Sequence, residues 1–137
     1  MKTFIRCLFL SLIVFICLGA SAQQRKQDPC EKANESGVTV DLVECSQKKL
    51  AEADAELNKT YRQLIAKMAN KQWEAKLRLA QQAWIKFRDA NCDYESEFSG
   101  GGSAFTFEYN FCLVDMTTVR TKQLLDMLSQ IKERAGN

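Results

Sequence analysis

The sequence lacks histidine entirely and has a single proline and six glycines among its 137 residues. The absence of histidine excludes the serine–histidine and cysteine–histidine pairs on which most nucleophilic hydrolases depend. It also removes a common zinc ligand, and no C-x-x-C spacing supplies a thiolate site instead. The scarcity of proline and glycine leaves long stretches without a helix breaker. We therefore expect a helical protein that is not an enzyme and that holds no metal or cofactor.

The first 22 residues have the features of a secretory signal. Lys2 and Arg6 are followed by an apolar run from Cys7 to Leu18, and then by the small residues of Ala20–Ala22. The run is shorter than the ~20 residues that a membrane-spanning helix needs. We expect cleavage after Ala22 and a mature chain, residues 23–137, that is periplasmic or secreted and has no stable membrane insertion.

Removal of this signal makes the mature chain electrically neutral. The whole sequence has 19 basic and 17 acidic residues, and Lys2 and Arg6 account for the surplus. A neutral chain lacks the overall basic charge that is typical of nucleic-acid-binding domains. Its 115 residues suit one small domain with a modest core.

Four cysteines remain in the mature chain: Cys30, Cys45, Cys92 and Cys112. An even number of cysteines in a small exported domain indicates two disulfides. The sequence allows three pairings, and we favour the two that are local in sequence, Cys30–Cys45 and Cys92–Cys112.

Apolar residues at helical spacing predict a small antiparallel bundle of three main helices. The first helix spans Thr39 to Ala69, the second follows a turn at Asn70-Lys71, and the third runs at least from Leu113 to Glu133. The positions expected to face inward are Leu50, Leu57, Tyr61, Leu64 and Met68, then Trp73, Leu77, Ala80, Trp84 and Phe87, and finally Met116, Leu124, Leu128 and Ile131. The segment from Gln23 to Val38 is expected to be irregular.

The stretch from Phe105 to Phe111 has two interpretations. Aromatic residues alternate there with polar ones, which is the period of a strand. The same residues also fit a helix that begins after Ser103, and we favour the helix.

The segment from Asp89 to Val119 concentrates negative charge around the glycines of "SGGGS". It has six carboxylates and neither lysine nor arginine. No lysine follows the glycines as a P-loop requires, and the carboxylates lack the order of an EF-hand calcium loop. A carboxylate-based glycoside hydrolase remains an alternative, as does a solvated loop over core aromatics. An acidic end that binds cationic partners is the interpretation that we favour.

Four motifs occur in order along the mature chain: "ADAELNKTY" (53–61), "QQAWIKFRDANC" (81–92), "GGS" (101–103) and "CLVDMTTVRTKQL" (112–124). Together they resemble the LprI-type lysozyme-inhibitor domain of exported bacterial proteins, from Cys30 to Leu128. The resemblance implies an envelope helical domain whose named activity is inhibition of lysozyme. The matching positions that we expect to be structural are Asn58, Tyr61, Trp84, Arg88, Thr117 and Arg120.

The functional hypothesis is a protein-binding inhibitor of a lysozyme or another cationic cell-wall hydrolase. The residues predicted to contact the partner are Glu95, Glu97, Phe98, Gly100, Gly101, Gly102, Ser103 and Phe105. The alternative is a non-catalytic envelope interaction or immunity module with a different protein partner.

Overall fold

The computed structural model describes residues 29–135, and the predicted signal peptide lies outside this range. Four α-helices follow one another: α1 Pro29–Ser36, α2 Thr39–Lys67, α3 Lys71–Ser96 and α4 Gly102–Ala135. A short 3-10 helix, Glu97–Ser99, precedes the glycines. No strand occurs between residues 29 and 135. The predicted all-α bundle with three main helices is confirmed, and residues 105–111 are helical.

The expectation of an irregular leading segment is wrong for residues 29–36, which form α1. Pro29 occupies the first helical position, where its missing N–H leaves no bond unmade. Ala33 is buried against the rest of the protein. Gly37 ends the helix with a φ of 62°, and its N–H donates to the Ala33 carbonyl at 3.0 Å.

A buried carboxylate joins α1 to α2. Asp41 is 4% exposed and accepts hydrogen bonds from Lys32 Nζ and Ser36 Oγ, each at 2.6 Å. These bonds hold the pKa of Asp41 below its ordinary value, the Lys32 bond contributing most, and the same contact raises the pKa of Lys32. The two helices are thereby fixed in one orientation.

The hydrophobic core lies between the three long helices. It consists of Leu57 and Leu64 from α2, Leu77 from α3, and Leu124 and Leu128 from α4. Tyr61, Met68 and Ile131 pack around it. The predicted inward positions from Leu57 to Met68 in α2 and from Leu124 to Ile131 in α4 are therefore confirmed, because the 3.6-residue period identifies one apolar face on each helix. Leu50, also predicted to face inward, is half-buried and lies outside this core.

The inward face predicted for α3 is partly wrong. Leu77 is buried and Trp84 packs against the core, but Trp73, Ala80 and Phe87 are exposed. Polar side chains occupy the inner face instead: Gln81 is 7% exposed, and the Arg88 side chain is 12% exposed. Hydrophobic periodicity cannot identify such a face, since burial of these side chains depends on partners from other helices.

Contacts along the bundle show how the helices are oriented. Asn110 near the start of α4 donates to Ser46 Oγ near the start of α2 at 3.0 Å. Arg88 of α3 lies midway, where it reaches both Asp54 and Thr117. Hence α2 and α4 run parallel to each other, and α3 runs antiparallel to both.

Both predicted disulfides are confirmed. Cys30–Cys45 links α1 to α2 with a Cα–Cα distance of 4.6 Å, and Cys92–Cys112 links α3 to α4 at 5.5 Å. Both lie at the end of the bundle that holds α1 and the glycines. This end is therefore covalently braced, whereas the opposite end depends on the leucine core.

Candidate functional site at the acidic end

The acidic end is defined here as α1, the first turns of α2 up to residue 47, and residues 89–115. Its outermost point is the connection between α3 and α4. Gly100, Gly101 and Gly102 have φ values of 80°, 83° and 67°, in the left-handed region that other residues adopt at a cost. No atom lies within 4 Å of where a Cβ would stand on any of them. The glycines are thus needed for the chain reversal, and they leave the surface around it open.

All eight residues predicted to contact a partner lie at this end. Phe98 is 78% exposed, and Glu95, Glu97, Ser103 and the three glycines are exposed as well. Phe105 is half-buried, with its ring stacked on Tyr109 at 5.8 Å between centroids. The group therefore combines an accessible backbone, one open aromatic ring and two carboxylates.

The first turn of α4 adds hydrogen-bond donors to this surface. The Phe105 N–H donates to the Gly101 carbonyl at 3.5 Å, whereas the preceding N–H groups of the helix have no earlier turn to donate to. Exposed Ser103 adds a hydroxyl beside them. A carboxylate is the natural ligand of such a helix terminus, because the helix dipole adds to the hydrogen bonds.

The surrounding charge is strongly negative. The acidic end contains Lys32 as its single cation against ten carboxylates, which are Glu31, Glu35, Asp41, Glu44, Asp89, Asp93, Glu95, Glu97, Glu108 and Asp115. Lys32 is already paired with Asp41. Asp89 accepts from Arg88 at 2.9 Å, so it contributes less to the outward field.

Sequence reasoning missed the carboxylates that α1 and α2 bring to this end. Glu31, Glu35 and Glu44 are exposed there and enlarge the negative surface beyond residues 89–115. The signal that could have found them is the Cys30–Cys45 pairing, which ties α1 to the start of α2. The parallel direction of α2 and α4 was also needed, and it is a tertiary property.

Local hydrogen bonds hold the site in place. Ser96 Oγ donates to the Cys92 carbonyl at 2.7 Å, and Ser99 Oγ donates to the Ser96 carbonyl. Asn91 donates to Glu95 at 3.0 Å. Burial, with the nearby Asp89 charge, raises the pKa of the Tyr109 phenol above its ordinary value of 10.0.

The motif residues of the sequence analysis lie elsewhere, along the middle of the bundle. Arg88 and Arg120 flank the Trp84 ring, with guanidinium carbons 5.4 and 5.8 Å from its centroid. Arg88 also donates to buried Thr117 at 2.9 Å. Asn58 and Tyr61 line a shallow groove between α2 and α3. We call these six motif residues along the middle of the bundle the polar column. The polar column and the acidic end are neighbouring but distinct features.

Comparison with known proteins identifies the family. The family described as "Lysozyme inhibitor LprI" matches residues 30–124, from α1 to the core leucine of α4. The chain belongs to the LprI family. The matched region contains both disulfides, the whole acidic end and the polar column of this LprI domain.

A relative of this LprI protein is an uncharacterized protein of Rhizobium meliloti (strain 1021). The two are 34% identical over 131 residues, which cover 87% of this chain and 91% of the relative. No solved structure matches this chain.

Among residues 29–135 of this LprI chain, no group of three or more acidic or cysteine side chains is arranged to hold a metal ion. Within the same range, no helix has the length and apolar character that a membrane crossing requires.

Proposed function

We propose that this LprI protein is an exported inhibitor that binds a cationic cell-wall hydrolase of the lysozyme type through its acidic end. The observation that carries the proposal is the coincidence of exposed carboxylates, an exposed glycine loop and free backbone donors at one braced end. The predicted signal peptide and the two disulfides agree with an oxidising compartment outside the cytoplasm.

Binding begins with electrostatic attraction. A carboxylate-rich surface attracts a cationic hydrolase and increases the rate of productive encounters. The opposite end of the bundle is basic. The electric field of the protein therefore orients the acidic end toward a cationic partner.

The glycine loop then enters the catalytic cleft. Lysozymes cleave glycans with two carboxyl groups that flank the scissile bond. Ser103 and the backbone N–H groups at the start of α4 would donate hydrogen bonds to these groups. Phe98, which is 78% exposed, would occupy a sugar subsite. Substrate and inhibitor would therefore compete for one cleft.

A turbidity assay of lysozyme on cell walls tests this proposal. We expect micromolar protein to inhibit lysis, and no inhibition of any tested lysozyme would contradict the proposal. Capture of a different envelope protein in that case would favour the alternative interaction module.

Variants of the loop test the binding mode. Phe98→Ala, Ser103→Ala and Gly101→Asn should each raise the inhibition constant roughly tenfold or more. Asparagine is chosen at position 101 because it tolerates the left-handed conformation better than other side chains. Val119→Ala is the control, since Val119 is an exposed apolar residue of α4 outside the acidic end. Unchanged inhibition by all three loop variants would exclude the loop as the contact.

A further inference from the structure

The outer face of α3 is an apolar surface that no other described helix covers. Leu79 is 66%, Phe87 59% and Tyr94 65% exposed, and Ala83 and Ala90 are exposed between them. These five residues, spaced by four, four, three and four, share one side of the helix. We call them the outer stripe. Exposed apolar residues that share one face of a helix are typical of a surface that binds another molecule.

The inner face of α3 is only partly apolar, since polar side chains share it with Leu77 and Trp84. Its inner face carries Gln81 and Arg88, which are satisfied by Arg120, Asp54 and Thr117. Much of its apolar content is therefore displaced to the outside. Burial of the stripe in an assembly would return these side chains to an apolar environment.

The order of residues along the stripe is self-complementary when it is read in both directions. Suppose that a second α3 lies antiparallel, with the centre between residues 86 and 87. Leu79 then faces Tyr94 of the second copy, and Ala83 faces Ala90 of the second copy. Beside the two-fold axis, Phe87 faces Lys86 of the second copy, and the Phe87 of that copy faces Lys86 of the first. A two-fold interface requires this reciprocity, in which residue i meets j and j meets i.

Charge at the ends of the stripe supports the same register. Lys76 precedes the stripe and Glu97 follows it, and both are exposed. In the antiparallel register, Lys76 faces Glu97 of the second copy at both ends of the interface. A parallel pair would instead bring Lys76 near Lys76 and Glu97 near Glu97.

The whole-molecule charge favours the antiparallel arrangement too. The acidic end lies at one end of α3, whereas the opposite end of the bundle has an excess of lysine and arginine. Antiparallel association therefore places the acidic end of each copy beside the basic end of the other. The alanines at positions 83 and 90 allow the two helices to approach closely along the stripe, which is roughly 23 Å long from Leu79 to Tyr94 at ~1.5 Å per residue.

We propose that the protein forms an antiparallel homodimer through the outer stripe of α3. The proposal does not depend on lysozyme binding, because the dimer is read out without any hydrolase, although Glu97 belongs to both the dimer interface and the acidic end.

Sedimentation velocity of the protein purified after export tests the dimer. We expect a dimer that dissociates on dilution, and a monomer at all concentrations up to about 200 µM would overturn the proposal. Ala83→Glu places a charge within the stripe, opposite Ala90 of the second copy, and should raise the dissociation constant at least tenfold. Ala55→Glu, at an exposed position of α2, is the matched control and should leave it unchanged. Circular dichroism would show that both variants fold.

Charge reversal tests the register. Lys76→Glu and Glu97→Lys should each weaken the dimer about threefold to tenfold, since each places like charges at both ends of the interface. The double variant should restore the dimer, because opposite charges face each other again. Weakening without restoration, or no effect of the single reversals, would overturn the antiparallel register.

Discussion

At the scale of the residue, Arg88 is the main polar connection between the three long helices. Its guanidinium reaches Asp54 of α2 at 3.0 Å and Thr117 of α4 at 2.9 Å, and it lies against the Trp84 ring. A planar group with several donors can serve all these partners at once, which a lysine ammonium cannot. Thr117 is fully buried, so it depends on this bond.

Arg88→Ala should lower the free energy of unfolding by about 2–3 kcal/mol, because it removes charge-assisted bonds and the cover of Trp84. Arg88→Lys should recover only part of the loss. Arg78→Ala removes an arginine from an exposed ion pair with Glu74, and its effect should be much smaller. Urea denaturation gives the free energy of unfolding of all three variants. An equal effect of the two alanine substitutions would show that Arg88 contributes no more than a surface charge.

A second residue-scale prediction concerns Asp41 and acid stability. Because its pKa is lower in the folded protein than the ordinary 3.8, the stabilisation that it provides is present above about pH 4 and is lost as pH falls through the folded-state pKa. The raised pKa of Lys32 acts at alkaline pH. The stabilisation that Lys32 provides is fully present below its ordinary pKa of 10.5 and is lost as pH rises through the folded-state pKa. Asp41→Asn should therefore flatten the loss of stability between pH 5 and pH 2. Unfolding free energies of wild type and variant across this range provide the measurement, and parallel curves would contradict the assignment.

At the scale of the element, α1 depends on three attachments to α2: the Cys30–Cys45 disulfide, the Asp41 contacts and buried Ala33. Eight residues are too few to form a stable helix alone in water. The helix therefore forms because the tertiary contacts hold it.

Replacement of Cys30 and Cys45 by serine should cost about 3 kcal/mol of unfolding free energy, as expected for a closed loop of this length. Amide hydrogen exchange should accelerate in α1 while the leucine core of α2 and α4 stays protected. The Cys92→Ser/Cys112→Ser variant is the comparison, and it should leave α1 protected. Equal exchange of α1 in both variants would show that this helix does not depend on its own disulfide.

At the scale of the whole molecule, the separation of charge is the feature that serves the proposed function. Residues 23–137 are neutral in sum, yet carboxylates gather at one end and lysines and arginines at the other. Such a field guides an encounter without requiring any net charge, and it is screened within about 10 Å at 0.1 M salt.

Neutralisation of Glu95 and Glu97 to glutamine should slow association with a cationic lysozyme several-fold at low salt and much less at 0.5 M salt. Dissociation should change less than association. Glu56→Gln/Glu133→Gln removes the same charge away from the acidic end and is the matched control. Stopped-flow or surface-based kinetics at several salt concentrations provide the measurement. Equal slowing by both double variants would assign the effect to net charge rather than to this end.

The sequence by itself determined the helical class and the leucine faces of α2 and α4, and it favoured the local cysteine pairing without excluding the other two. Each of these follows from a spacing of a few residues to about 20, which a linear pattern records. The family resemblance rested on such local motifs as well, and the match over residues 30–124 confirms it.

Only the tertiary structure decided that Gln81 and Arg88 face inward while Phe87 faces outward, that α1 is a helix, and that Glu31, Glu35 and Glu44 join the acidic end. Burial of Gln81 and Arg88 depends on partners 29 to 39 positions away. The helix α1 depends on its packing against α2, and the extent of the acidic end depends on the relative direction of the helices. A buried arginine is stable only where another helix supplies its acceptors, and a short helix only where a neighbour holds it. No periodicity along the chain encodes either condition.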